Sequence, residues 1–141
     1  MVDATLDHSP QGGGRDAFPV LRLSGEVGFE QAIALVADAI RRAAASGERI
    51  LLVDARTVGF PAPSIAERHR FLRGWAEVSN GKVRIALIAR PAFIDPDRFG
   101  VVAAANFGLV AEVFDCEIEA CAWLRDLMAP ADAPAVQART R

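Results

Sequence analysis

The sequence predicts an α/β fold, a four-stranded or slightly larger, mostly parallel sheet with helices on both faces. Three observations point there. Short strand-like segments alternate four times with longer stretches whose apolar residues recur every three or four positions. The run Ile50-Leu51-Leu52-Val53 is apolar throughout, as a strand covered on both faces must be. The chain has 141 residues, 52% hydrophobic and 24% charged, which suits one domain around one core.

Each element has its own signal. Phe18 to Leu23 alternates, Val20 and Arg22 on one side and Leu21 and Leu23 on the other, and Ser24-Gly25 ends it. A helix follows from about Phe29 to Ser46, its stripe made by Phe29, Ile33, Val36 and Ile40, with Gly47 as stop. The buried strand from Ile50 closes on Asp54, and Arg56 to Pro63 form a loop. Ser64 caps the next helix, with Glu67 completing a capping box and Asn80-Gly81 ending it. Lys82 to Ala89 is the third strand, broken by Arg90-Pro91. Asp95-Pro96 opens a helix running to about Asn106-Phe107, with Gly108 as stop. Leu109 to Phe114 is the fourth strand, and a last helix spans about Glu117 to Met128. The domain therefore covers residues 18–129, between loose tails at 1–17 and 130–141 that lack a periodic apolar face.

Composition narrows the function. A formal charge of −2 lacks the basic footprint of a nucleic-acid or anionic-membrane binder. The longest near-apolar stretch, Gly100 to Ala111, contains Asn106 and is too short to span a bilayer. The first residues carry no secretory pattern, so a cytoplasmic setting is the expectation. Cys116 and Cys121 have no second pair for a zinc site, and His8 and His69 lie far apart in sequence. No serine or cysteine sits in a nucleophile elbow. The expectation is a protein without metal, cofactor or catalysis.

Ligands of parallel sheets gather beyond the carboxyl ends of the strands. Here that rim holds Gly25–Gly28, Asp54–Ser64, Arg90–Asp95 and Phe114–Glu117. Gly25-x-x-Gly28 lacks nucleotide-fingerprint spacing and reads as a turn. The carboxylates Glu30 and Glu117 fall in first helical turns, where the helix dipole favours them. Asp54, at a strand end, is a polar site candidate whose plainer role is to accept main-chain N–H groups from the following loop. Arg68, Arg70 and Arg73 form a basic patch, either solvated or a contact for an acidic partner. Phe60, Pro61, Pro63, Phe93, Ile94 and Phe99 are apolar where rim loops are ordinarily polar. They either fold back onto the core or line an apolar pocket or association patch.

Several segments resemble the SpoIIAA-like family, which is related to the STAS and lipid-binding SEC14 groups. They are Leu21-Arg22-Leu23-Ser24-Gly25, Ile50 through Asp54, Val83 through Ile88, and Ala111-Glu112-Val113-Phe114 followed by Ala120-Cys121-Ala122-Trp123-Leu124. The resemblance implies an α/β domain without catalysis, acting as a regulatory or protein-binding module. It also implies the alternative of a small carrier for an apolar or lipid-like ligand. Ser64 falls on the phosphorylatable serine of anti-anti-sigma STAS domains, though Ala62-Pro63-Ser64-Ile65 replaces their Asp-Ser-Ser-Gly. The residues themselves read Ser64 as a helix cap. The expected partner is a protein or an apolar small molecule, and a homodimer through the alanine-rich helices is a further expectation.

Overall fold

The computed structural model describes residues 4–8, 18–23, 25–94 and 105–128. Five strands form one sheet in sequence order: β1 (Ala4–His8), β2 (Pro19–Leu23), β3 (Ile50–Asp54), β4 (Arg84–Ile88) and β5 (Ala111–Phe114). Strands β2 to β5 are parallel, and β1 runs antiparallel to β2. The expected α/β architecture is therefore present, with an antiparallel strand added at one edge.

That added strand corrects the sequence reading, which places residues 1–17 in a loose tail. Ala4–His8 pairs with β2 from Ala4 opposite Leu23 to His8 opposite Pro19. An edge strand needs main-chain partners on only one side. The row of N–H and C=O groups on β2 supplies them, so no strong apolar alternation is required of the added strand. The remainder of 1–17 and the 130–141 tail lie outside the described residues. So does most of the helix expected between Asp95 and Phe107; its expected stop, Gly108, has a φ of +86°.

Helices α1 (Phe29–Ala45) and α2 (Ile65–Ser79) cover one face of the sheet. Successive parallel strands laid down in one direction put their crossover helices on the same side. Ala32, Val36, Ile40 and Ala43 of α1, with Leu72 and Trp75 of α2, pack onto Leu21, Leu51, Val53 and Ile85. The Trp75 indole N–H donates to the Ile33 carbonyl at 3.1 Å, fixing α2 against α1. Helix α3 (Glu117–Met128) covers the opposite face, where Ala120, Cys121 and Leu124 meet Phe18, Val20, Leu52 and Ile88. The uninterrupted Ile50–Asp54 run follows from this double cover: every residue of β3 is buried.

The ends of α2 match their sequence signals. Ser64 Oγ accepts the Glu67 N–H at 3.1 Å, and Glu67 Oε1 accepts the Ser64 N–H at 2.8 Å, a complete capping box. Asn80 closes the helix in the left-handed region at φ 49°. Buried Ser79 then links α2 to the next strand, donating to the Val83 carbonyl at 2.9 Å and accepting the Val83 N–H at 3.1 Å.

Candidate functional site

Between α1, α2 and the sheet, below the loops at the carboxyl ends of the strands, lies a cavity of about 120 Å³. Its floor is the helix-facing side of the strands: Leu23, Val53, Ile85, Leu87, Ala111 and Val113. Its walls are Ala32, Ile33 and Val36 of α1 and Phe71, Leu72 and Trp75 of α2. Phe60, Pro63 and Phe93 close the rim end. The aromatic side chains form a continuous chain of contacts. Ring centroids are 4.6 Å apart for Trp75 and Phe71, and 6.1 Å for Phe71 and Phe29. The chain continues at 5.4 Å to Phe60 and 6.1 Å to Phe93. Phe29 meets Phe60 and Phe71 edge-to-face, the other two pairs are tilted, and contacts of these kinds hold ring walls at fixed spacing.

Two arginines hold the rim loops over this cavity. Arg90, just beyond β4, donates to the carbonyls of Arg56 at 3.3 Å, of Phe60 at 3.4 Å, and of Val58. Its guanidinium also lies over the Phe93 ring, 4.5 Å from the centroid. Arg68 of α2 donates from Nε to the Pro63 carbonyl at 3.3 Å and from Nη2 to the Phe93 carbonyl at 3.1 Å. The loop after β2 is drawn in too. Thr57 Oγ1 donates to the Leu23 carbonyl at 3.0 Å, and a Cβ on Gly59 would lie 3.1 Å from the Gly25 carbonyl. The Gly25 segment is therefore a packed turn, consistent with its lack of a phosphate fingerprint.

On the α3 side of the same rim stands a charge cluster. Asp54 accepts from Arg22 Nη1 at 2.8 Å, from Arg56 Nη2 at 2.7 Å and Nε at 2.9 Å, and from the Arg56 main-chain N–H at 3.2 Å. Glu117 joins at the start of α3, accepting from Arg22 at 3.2 Å and from Arg56 at 3.1 Å. Burial works to raise the Asp54 pKa, but the Arg56 hydrogen bonds and the charges of Arg56 and Arg22 outweigh it and hold the carboxyl below its ordinary value. The Glu117 hydrogen bond raises Arg22, and the Asp54 hydrogen bond raises Arg56. Among the described residues the cluster pairs two cations with two anions. It ties α3 to the ends of β2 and β3.

The anticipated apolar site residues separate. Phe60, Pro63 and Phe93 line the cavity. Pro61 is exposed, Ile94 is half-buried away from the cavity wall, and Phe99 lies outside the described residues. The basic patch separates as well. Arg68 bonds loop carbonyls, Arg70 pairs with Glu30 of α1 at 2.7 Å, and Arg73 is exposed beside a surface hollow shared with Glu77 and Phe107. Exposed His69 stacks edge-on to Phe107 at 4.8 Å. Cys116 and Cys121 are free, and burial pushes the Cys121 thiol pKa up. Among the described residues, no group of three or more His, Cys, Asp or Glu is placed to hold a metal ion. No described helix is long and apolar enough to cross a membrane.

Sequence reading missed Phe29, Phe71 and Trp75 as site residues because a helical stripe looks the same whether it packs or lines a void. It also missed Arg22, Arg56 and Glu117 as partners of Asp54. Arg22 had one visible cue: its place on the side of the strand opposite Leu21 and Leu23. No protein-family model matches the chain, and no curated protein matches it.

Proposed function

We propose that the protein is a non-catalytic binding module of the SpoIIAA-like type whose ligand is a small apolar molecule held between α1, α2 and the sheet. One observation carries this reading: a ring-walled apolar cavity of about 120 Å³ at the carboxyl-end rim of the parallel strands. An apolar cavity of about 150 Å³ stays dry and admits benzene. The space here therefore suits one aromatic ring or a short alkyl segment. Exposed Pro61 and Ile65 flank Pro63 at the cavity rim, a surface through which a protein partner would sense occupancy. This joins the carrier and regulatory roles at one place.

Trp75 in the cavity wall supplies a reporter, and Trp123, on the opposite face against Phe114, is removed by Trp123→Phe. Titrating that variant with toluene is expected to give a saturable, single-site change in tryptophan emission. A response that stays linear to the solubility limit would refute the ligand-binding reading.

A further inference from the structure

The ligand's head group follows from one side chain, an inference that rests on the cavity being a binding site. Among the described residues, two charged ones border the cavity, Arg68 and Glu112. Glu112 lies between Ala111 and Val113, which both line the cavity, and it pairs in register with Ala86, which is buried against α3. Strand alternation therefore directs its carboxylate to the α3 face.

Arg68 differs from five arginines of the domain in its partners, and from Arg90, which also bonds carbonyls, in lining the cavity. Arg22, Arg41, Arg42, Arg56 and Arg70 each pair with a carboxylate. Arg68 is half-buried and, among the described residues, bonds only two neutral acceptors, the carbonyls of Pro63 and Phe93. These take Nε and Nη2, and among the described residues nothing takes Nη1. A cation whose described acceptors are carbonyl dipoles, beside apolar walls that weaken screening, favours an anion next to it. Its planar fork matches a carboxylate, which Nη1 and the second Nη2 hydrogen can take together.

We propose that the ligand is a small amphipathic acid. Its apolar body lies among Phe29, Phe71 and Trp75, and its carboxylate is held by Arg68 at the rim. Arg68 then does two things at once: it straps the Pro63 and Phe93 loops together and selects the head group.

Three probes with one body separate these roles: 3-phenylpropanoate, 3-phenylpropan-1-ol and 3-phenylpropylamine, titrated into the full chain at pH 7 by calorimetry. The acid is expected to bind about tenfold or more tightly than the alcohol, because a hydrogen bond to a charged group exceeds a neutral one by that much. The amine is expected to bind weakest. Arg68→Gln, which also loses the strap on the Pro63 and Phe93 loops, should weaken both ligands and bring the acid down to the alcohol's affinity, while Arg68→Lys keeps part of the preference. Equal binding of acid and alcohol by the unaltered protein overturns the acid proposal and leaves the cavity reading standing. An acid preference that survives in Arg68→Gln overturns it too. Failure of all three probes to bind overturns both. The comparison on the unaltered protein decides the matter even if Arg68→Gln folds poorly.

Discussion

Replacing Arg90 with alanine is expected to destabilise the fold by about 2–3 kcal/mol and to weaken ligand capture in the same step. One guanidinium serves the carbonyls of Arg56, Val58 and Phe60 and lies over the Phe93 ring. Two of these bonds are long, so the expected loss is well short of three full charge-assisted bonds. Val58 is 1% exposed, and removing the donor leaves its carbonyl away from both water and a partner. The loop bearing Phe60 and Pro63 then loses its tie to the end of β4. In urea titrations the midpoint should fall with little change in slope, the mark of a pure stability change. Arg90→Lys should fall between, since a single ammonium cannot fork across the loop. An unfolding free energy within about 0.5 kcal/mol of the unaltered protein would mean that the loop is held some other way.

Leu52→Ala should have the largest effect on folding, about 2–5 kcal/mol. Leu52 is 0% exposed on the middle strand, where it meets Val20, Ile88 and Leu124 under α3. Truncation removes apolar burial and leaves a void that neighbours fixed on both sides fill only in part. Because this cluster lies across the sheet from the cavity, toluene affinity of the folded protein should stay unchanged. Calorimetric unfolding together with the toluene titration checks both statements. A loss below about 1 kcal/mol would show that α3 does not pack on β3 as described.

The contrast between these two sites shows what could be read from the chain and what could not. Leu52 was legible because a run such as Ile50-Leu51-Leu52-Val53 has no polar side to expose, whatever its neighbours. The ends of α2 were legible because capping is local: Ser64 and Glu67 lie within one turn of each other. The strand at Ala4–His8 was not legible, because its pairing depends on the main chain of β2 and imposes little pattern of its own. At the site, Phe60, Pro63 and Phe93 stood out as apolar residues in loops. Arg90 did not, since a bond from a guanidinium to carbonyls 30 to 34 positions away leaves no trace in spacing. The charge cluster shows the same limit. Asp54 could be marked as a strand end, but Glu117 lies 95 positions from Arg22, and only the closed topology brings them together.

The most direct test of the cavity is methyl-resolved NMR of the protein with and without toluene, whose ring current marks the methyl groups nearest to it. Shifts should concentrate on Ala32, Val36, Val53 and Leu87, which line the space between the helices and the sheet. Val20, Leu52, Ile88 and Leu124, packed on the α3 face, should stay where they are. Shifts on the α3 face, or scattered over the surface, would contradict a binding cavity beneath the Phe60 and Phe93 loops.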